Sequence, residues 1–316
     1  MMPIPILLIA HSRPKTLIRQ LDRIEVLPSA DVVISIDGPR PEVADLQKAT
    51  MLAAEKWAQS THHRVNLINH KVNLGIYEHL PKALESFFSE FDYGAILEDD
   101  IEFSPQLFDI FQAYREQVVR GEYWSVCGHN PLETNSPYDV KQSEVKVYPS
   151  NFHSIWGWAT SATNAGKFIA SYQSDLKSSQ ISEVLEQVAK VISGDPFLRR
   201  AFVLTWSRKL SGWNLRRSQS GWDTRWVFEA WHQSSSSLIS GISLSREELS
   251  QNEGQTHPHS NKGATWVEGH TKKFDFTLSQ KSRRLDIKFL SIWGIRRKYS
   301  WLFCFRINRQ LKGLIK

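Results

Sequence analysis

Three consecutive acidic residues, Glu98, Asp99 and Asp100, follow an apolar run at residues 93–97. Neighbouring carboxylates repel one another, so a divalent cation is the natural partner that lets them stay ionised. Mg²⁺ and Mn²⁺ prefer oxygen ligands and commonly bind one or two carboxylates together with the phosphates of a substrate. The triplet therefore predicts a site for a metal ion and a diphosphate. The alternative is a helix start before Pro105, where acids complement the helix dipole.

Two further polar residues stand where apolar runs end. Arg13 follows the run at residues 4–10, and Asp37 closes the run at residues 31–37. A guanidinium pairs well with a phosphate, and a carboxylate accepts a hydrogen bond from the N–H of a base. Taken singly, each has a plainer interpretation: Arg13 suits a solvated helix start, and Asp37 suits a turn before Gly38.

The elements that must hold these residues alternate over the first hundred positions. Leu17, Leu21 and Ile24 recur at helical spacing, and similar stripes cover residues 43–60 and 80–91. The intervening apolar runs predict strands at residues 4–10, 31–37, 64–69 and 93–97. This βαβαβαβ pattern predicts a mostly parallel sheet covered by helices, with ligands bound at the carboxyl ends of its strands. The polar residues described above would then meet at one rim.

The segments 79–84 (HLPKAL) and 93–105 (YGAILEDDIEFSP) resemble the corresponding stretch of N-acetylglucosaminyltransferase I and of related bacterial, family 2-like GT-A glycosyltransferases. In those enzymes the acidic triplet is the local version of the DxD motif and holds Mn²⁺ against the donor diphosphate. The resemblance implies Mn²⁺ or Mg²⁺ as cofactor and Asp100 as its direct ligand. It also implies that Glu98 and Asp99 contact the ribose and uracil side of a UDP-sugar.

The resemblance extends to other residues of the nucleotide side. Arg13 in His-Ser-Arg-Pro and Asp37 in Ile-Ser-Ile-Asp-Gly look like the family's residues that grip the nucleotide, and His79 matches a nucleotide-contacting histidine. Trp158 falls in FHSIWGWAT at residues 152–160, which is similar to a Gly-Trp-Ala-Thr segment that lines the donor pocket. Plain core packing is the equal alternative for Trp158 and its neighbour Trp156.

Two motifs near the end of the resemblance imply chemistry on the acceptor side and at the metal. Asp223 in GWDTRW looks like the acid of Trp-Asp-x-x-Trp, and an inverting transfer needs such a general base to deprotonate the acceptor hydroxyl. A helix N-cap is the alternative role for Asp223, and the two roles are compatible. His257 in NEGQTH resembles a Thr-His that contacts the metal or diphosphate. Residues 246–250 depart from the bacterial pattern there, which leaves His259 as a substitute.

The resemblance covers roughly residues 4–257 and implies a GT-A fold of the α/β class. The expected divisions are a Rossmann-like nucleotide-binding half at 1–120, an acceptor-binding half at 121–265 and a basic aromatic tail at 266–316. Residues 105–119 predict one more helix. Beyond them, segments rich in Trp, Gly and Ser show weaker periodicity.

The net charge of +6 resides in the tail, because residues 281–316 hold eleven Lys and Arg against one acid. The remaining 280 residues hold 28 basic residues against 32 acidic ones. Aromatic and aliphatic residues interleave with the tail's cations, which favours docking on an anionic membrane surface. The alternatives are a nucleic-acid-binding segment and a terminal helix with a solvated basic face. We do not expect nucleic acid as a partner.

The sequence carries no pattern for a secretion signal and no run of about 18 apolar residues that would span a membrane. With only two cysteines, neither a disulfide framework nor a zinc ribbon is indicated, which favours a reducing cytoplasm. We therefore expect a cytoplasmic protein, peripheral at the inner face of the plasma membrane if its tail binds lipid.

These patterns predict a metal-dependent inverting glycosyltransferase that moves a sugar from a nucleotide-sugar to a glycan or lipid-linked acceptor. A sugar nucleotidyltransferase is one alternative, although such enzymes usually carry a Gly-rich loop after the first strand and His-Ser-Arg-Pro contains no glycine. A non-catalytic glycan- or membrane-binding protein is another, motivated by twelve tryptophans and the basic tail. No P-loop, dinucleotide fingerprint or Gly-x-Ser-x-Gly elbow occurs, so kinase, dehydrogenase and hydrolase functions have no support.

Overall fold

The first half of the chain alternates strands and helices as its hydrophobic pattern predicts. The computed structural model describes residues 2–130, 144–172, 174, 176–193, 196–215, 221–247 and 275–279. The elements are β1 (Ile6–Ala10), α1 (Pro14–Glu25), β2 (Asp31–Ile36), α2 (Ala44–Ser60), β3 (Arg64–Asn69), α3 (Gly75–Phe88) and β4 (Tyr93–Glu98). Strands β1, β2, β3 and β4 pair only in parallel with one another. The predicted α/β class with a mostly parallel sheet is confirmed.

Two helix boundaries differ from the prediction. Helix α3 begins at Gly75, five residues before the apolar stripe that predicted it. The cause is Asp37, whose carboxylate accepts the N–H groups of Leu74 and Gly75 and so fixes the helix start from another element. The single helix predicted at residues 105–119 is wrong, because the chain breaks at Tyr114 into α4 (Gln106–Ala113) and α5 (Arg115–Val119).

The second half continues the same sheet. Its elements, with the short β5 before α4, are β5 (Ile101–Phe103), β6 (Val126–Cys127), β7 (Glu144–Ser150), β8 (Trp158–Ser161), α6 (Ala162–Tyr172), α7 (Ser178–Ile192), α8 (Pro196–Leu215), α9 (Trp222–His232), β9 (Ser237–Ser240), β10 (Ser245–Glu247) and β11 (Asp275–Leu278). In the described part of the chain, nine strands follow the order β11-β7-β9-β6-β8-β4-β1-β2-β3, and β5 pairs with β10 in a separate ribbon. Strand β8 runs antiparallel to both β4 and β6, so the direction reverses at the join between the halves.

Strand alternation divides the core into two layers. In β1, Leu7 and Ile9 face one layer, and Ile6 and Leu8 face the other. The first layer contains residues of α3 and α6 to α9 and is rich in aromatic rings, whereas the second packs mainly aliphatic residues beneath α1 and α4. Trp226 of α9 is fully buried in the first layer, 4.5 Å from Trp158 and 5.0 Å from Trp124 between ring centroids.

One strand comes from the segment predicted as a tail. Residues Asp275–Leu278 form β11, which pairs in parallel with β7 at the edge of the sheet. The basic residues from 281 onward lie outside the described residues. Within the described part of the chain, no helix combines the length and apolarity needed to cross a bilayer.

Candidate active site

An acid cluster, formed by Glu98, Asp99 and Asp100, lies at the carboxyl end of β4. The backbone N–H of Asp99 donates to Ile9 O at 3.0 Å, which ties the cluster to the end of β1. The side chain of Asp99 is only 2% exposed, while that of Asp100 is 14% exposed. Sheet pairing therefore fixes where the cluster lies. Asp100, whose side chain is more exposed than that of Asp99, is the residue that a ligand can reach.

Arg13 bridges two members of the acid cluster. It occupies the turn between β1 and α1, and its Nη2 lies 2.7 Å from Asp99 Oδ1. Its Nη1 makes a second ion pair with Asp100 Oδ2. The neighbouring parallel strands β1 and β4 end at the same rim, with Ile9 beside Glu98, so the contact follows from their register. One guanidinium thus faces three carboxyl groups.

The acid cluster holds more negative charge than Arg13 compensates. Burial, with the charge of Asp100, raises the pKa of Glu98 to about 8, although Arg13 opposes the shift. Burial also raises the pKa of Asp99 to about 7 against the stabilising charge of Arg13. Asp99 Oδ2 is buried and has no hydrogen-bond partner among the described residues. An added cation would relieve both the repulsion and this unsatisfied oxygen.

Asp223 lies in the first turn of α9, two residues after the N-cap position, which Gly221 occupies. A Cβ on Gly221 would come within 2.1 Å of Asp223 Oδ1, so the Asp223 side chain folds back over the helix start. The negative charge of Asp223 contributes to the raised pKa values of Glu98 and Tyr77. Asp223 therefore lies within electrostatic reach of the acid cluster although 123 positions separate it from Asp100.

Asp37 uses its carboxylate within the protein. Oδ1 accepts from the backbone N–H groups of Gly38 and Leu74, each at 2.8 Å. Oδ2 accepts from the N–H of Gly75 at 2.9 Å and from Asn73 Nδ2 at 3.0 Å. A carboxylate offers about four acceptor positions, so these bonds use its capacity. Asp37 joins the end of β2 to the start of α3.

His79 and Trp158 are both enclosed. The Nε2 of His79 lies 2.8 Å from Ser35 Oγ, and burial lowers the pKa of His79 to about 4, so the ring is neutral. Trp158 is 1% exposed and packs among Trp222, Trp226 and His153. His79 lies within electrostatic reach of Asp37, and Trp158 pairs with Ile96 near the end of β4, but both side chains are buried, whereas those of Arg13 and Asp100 are partly exposed. His257 and its substitute His259 lie outside the described residues.

The turn that Asp37 supports was not predicted from the sequence. Asn73 donates to Asp37 and to Gly38 O, and Gly75 adopts φ +69°, a conformation that favours glycine. A Cβ on Gly38 would lie 2.1 Å from the carbonyl carbon of Val72, so two backbone segments touch there. The Asn-Leu-Gly sequence at residues 73–75 is a turn signal that indicates this loop.

Glu102 was also missed as a structural residue. Its carboxylate pairs with Arg23 of α1 at 3.2 Å and with Arg246 of β10 at 2.6 Å. The ribbon of β5 and β10 places Arg246 opposite Glu102, and Arg23 reaches Glu102 from α1. Glu102 is therefore neutralised by its own partners, so the excess negative charge remains with the acid cluster.

A second group of side chains of the types that bind metals lies at the ends of α1 and α2. It consists of Glu25, His62 and His63. His62 donates from Nδ1 to Glu25 Oε1 at 3.0 Å and from Nε2 to Leu27 O at 3.1 Å. These partners require a proton on both nitrogens, in keeping with the raised pKa of His62, which is caused mainly by its bond to Glu25. Both ring nitrogens of His63 contact backbone groups. The group is an ion pair at the ends of α1 and α2 and offers no open nitrogen.

Comparisons with known proteins identify no family. No family model matches the chain, and a search of curated proteins gives no match. Among solved structures, HddC from Yersinia pseudotuberculosis is similar at 12% identity and a TM-score of 0.33, over 55% of this chain and 82% of that one. The 4-diphosphocytidyl-2C-methyl-D-erythritol synthase from Anaerococcus prevotii is similar at 9% identity and a TM-score of 0.35, over 78% and 91%. Likeness at this level carries no argument about function.

Proposed function

We propose that this protein is a metal-dependent glycosyltransferase that moves a sugar from a nucleotide-sugar to a glycan or lipid-linked acceptor, with inversion. The proposal is supported by the arrangement of charged side chains at this rim. Arg13 and the partly buried, under-compensated acid cluster meet beyond the ends of parallel strands, within electrostatic reach of the charge of Asp223. A cation site, a phosphate-binding guanidinium and a separate base are what this reaction needs.

The acid cluster suits a hard divalent ion. The unsatisfied Asp99 Oδ2 and the partly exposed Asp100 supply the oxygen ligands that Mn²⁺ or Mg²⁺ prefers. Such an ion would act as a Lewis acid that neutralises the leaving diphosphate. Asp99 and Asp100 would hold it, and Glu98 would lose its raised pKa as positive charge arrived. Arg13, released from the carboxylates, would be free to pair with a phosphate.

The transfer itself needs a base on the side of the sugar opposite the leaving group. The acceptor hydroxyl oxygen would form its bond to the anomeric carbon as the bond from that carbon to the diphosphate oxygen breaks. The hydroxyl proton would pass to the Asp223 carboxylate, and the nucleoside diphosphate would leave. The first turn of α9 favours an ionised Asp223, because the helix dipole stabilises negative charge there.

The remaining nucleotide-side residues fit roles beneath the ligand. Asp37 would position the loop before α3, and neutral His79 and buried Trp158 would shape the wall on which the nucleotide rests. We propose uridine as the nucleoside of the donor, together with a contact from His257 to the metal or diphosphate. Both rest on the family resemblance of the sequence.

A thermal-shift experiment tests the donor site. The full-length protein is melted with UDP-, GDP-, dTDP- or CMP-sugars, each in Mn²⁺ and in EDTA, beside the variant Asp100→Asn and the control Asp45→Asn, an exposed acid of α2. We expect one nucleotide class to stabilise the wild type and Asp45→Asn in Mn²⁺ only, and to leave Asp100→Asn unchanged. If no nucleotide shifts the melting point, a non-catalytic binding protein becomes the better interpretation.

A product assay separates transfer from the sugar nucleotidyltransferase alternative. A glycosyltransferase releases nucleoside diphosphate from a nucleotide-sugar. A nucleotidyltransferase releases pyrophosphate from a nucleoside triphosphate and a sugar 1-phosphate. We expect the first product, lost in Asp100→Asn and kept in Asp45→Asn. Release of pyrophosphate under the same conditions would replace the proposed function with the alternative.

A further inference from the structure

Helix α8 presents an unpaired cationic ridge to solvent. Arg200, Leu204 and Arg208 are spaced four residues apart and are exposed on one face, with Leu204 50% exposed. Residues 196–215 include four basic residues and no acid. Among the described residues, neither Arg200 nor Arg208 makes an ion pair, so their charge faces solvent without compensation.

A groove runs beside this ridge, between α7 and α8. Its volume is about 300 Å³, and we call it the cationic groove. It is lined by Glu186, Ala189, Lys190, Arg199, Arg200, Val203 and Leu204. Three cations face one acid across aliphatic walls. Val191, at the end of α7, adds an apolar side chain that is 65% exposed.

The cationic groove is separate from the acid cluster. Phe202 and Trp206 of α8 pack against Trp231, near the last turn of α9, with ring centroids 5.4 and 4.4 Å away. Asp223 lies in the first turn of the same helix. Eleven helical residues span about 16 Å, so α8 contacts the end of α9 that lies away from Asp223.

The chemistry of this face combines positive charge with exposed aliphatic groups. A soluble polyanion would use the arginines but would gain little from Leu204 and Val191. A bilayer with anionic lipids uses both, because headgroup phosphates pair with cations while apolar side chains enter the boundary between headgroups and acyl chains. Arginine stems also lie on apolar surface while their charged ends reach phosphate.

We propose that the face formed by the cationic groove and the Arg200–Leu204–Arg208 ridge docks on an anionic membrane surface. A lipid phosphate is held by Lys190, Arg199 and Arg200, and Leu204 and Val191 contact the apolar boundary. The proposal concerns described helices and is independent of the basic segment from 281 onward. It also needs neither the nucleotide nor the acceptor, so its test stands apart from the proposed function.

Vesicle co-sedimentation tests this docking with the full-length protein. Vesicles contain phosphatidylcholine alone or mixed with phosphatidylglycerol. We compare the wild type with Arg200→Gln/Arg208→Gln, with Leu204→Ser and with the control Lys48→Gln/Lys56→Gln, which removes the same charge from exposed positions of α2. Melting curves confirm that each variant is folded.

The wild type and the control are expected to bind the mixed vesicles alike. The arginine pair should bind about 25-fold more weakly, since each cation near an anionic surface contributes about a fivefold gain in partition. Leu204→Ser should weaken vesicle binding but leave retention on dextran sulfate unchanged. The proposal would be overturned, and a polyanion site identified, by the following result: the arginine pair loses binding to vesicles and to dextran sulfate equally, and Leu204→Ser loses binding to neither. Wild-type vesicle binding that neither variant reduces would also overturn it, as would no binding at all.

Discussion

Two clusters of chemically capable side chains differ in where the sheet places them. The acid cluster lies at the rim, beyond β4, and meets Arg13 in a partly exposed site. The other cluster is enclosed in the second half, where His153 Nδ1 lies 2.7 Å from Ser125 Oγ and 3.2 Å from Cys127 Sγ. A cysteine beside a histidine is a pairing used for nucleophilic catalysis, so residue types alone do not distinguish the two clusters.

Burial distinguishes them. It raises the pKa of Cys127 to about 12 and lowers the pKa of His153 well below its usual value, so both side chains are neutral. A neutral buried thiol is inert. In the acid cluster the pKa values of Glu98 and Asp99 are raised to near neutral pH and the Asp100 side chain is partly exposed, so the cluster can exchange protons or bind a cation. Reach to solvent and uncompensated charge, rather than residue type, therefore identify the site.

The largest expected effect tests the enclosed region. Trp226→Ala removes a fully buried indole from contact with Trp124, Trp158 and Phe168. It should lower the free energy of unfolding by about 3–5 kcal/mol, measured by urea denaturation. Trp57→Ala, at a partly buried position of α2, is the matched control and should lower the free energy of unfolding by less. A loss below about 1 kcal/mol for Trp226→Ala would show that the aromatic layer is loosely packed.

The next effect tests the rim. Asp100→Asn keeps the shape of the side chain but removes a charged metal ligand, so the rate of nucleoside diphosphate release should fall about 1000-fold, with little change in unfolding free energy. Steady-state kinetics in saturating Mn²⁺ measure it. Cys127→Ser should leave the rate near that of the wild type. If both variants lost the rate alike, the distinction between the two clusters would be wrong.

Asp223→Asn should separate base chemistry from donor binding. The rate of transfer should fall about 100-fold, because a positioned general base contributes at least that much. Stabilisation by metal and nucleotide should be kept. The pKa of Glu98 should fall, since the Asp223 charge helps to raise it. A loss of donor binding together with the rate would place Asp223 in the donor site instead.

The smallest effect is the dependence of metal-free stability on pH. Glu98 and Asp99 bind protons more tightly in the folded state, so their contribution is present below pH 4 and is lost as pH rises to about 8. Buried neutral His153 acts oppositely, adding stability as pH rises towards 6.5. Between pH 6.5 and 8 the melting temperature without metal should therefore fall.

Two variants separate the sources of that fall. Glu98→Gln should remove part of the fall in melting temperature with pH, and this should be the same part that Mn²⁺ removes. The pKa of His62 is raised by Glu25, so its stabilising charge is lost in the same direction above pH 6.5. His62→Asn should therefore remove a small part of this fall in melting temperature, and Mn²⁺ should have no effect on that part. A melting temperature that rose with pH over this range without metal would contradict the charge excess of the acid cluster.

The first half of the fold could be predicted because its signals are local. Alternating runs and stripes located β1 to β4, and the rule that parallel strands end at one rim brought Arg13 to the acid cluster. The role of Asp37 could not be predicted in this way, because the helix start that it holds is bound through the backbone N–H groups of Leu74 and Gly75, which leave no mark in the sequence. In the sequence, an Asp before a Gly gives the same signal whether its carboxylate binds a ligand or accepts hydrogen bonds from the N–H groups at a helix start.

The second half escaped prediction because its pairings are remote. Strand β6 has two residues and lies beside β9, with Cys127 opposite Ile239 in the register. No local periodicity marks so short a strand or names a partner 112 positions away. The place of β11 beside β7 was missed for the same reason, since residues 275–278 stand in a segment dominated by its basic composition.

The continuous sheet has a consequence for dissecting the protein. Strand β4 is interior because β8 covers its outer side, and β8 belongs to the second half. A fragment ending near residue 120 would leave the hydrogen-bonding edge of Tyr-Gly-Ala-Ile-Leu uncovered. Bare apolar edges recruit strands from other molecules, so that fragment should aggregate even though every element of its own is complete. Expression trials with shortened chains would therefore report on solubility rather than on ligand binding.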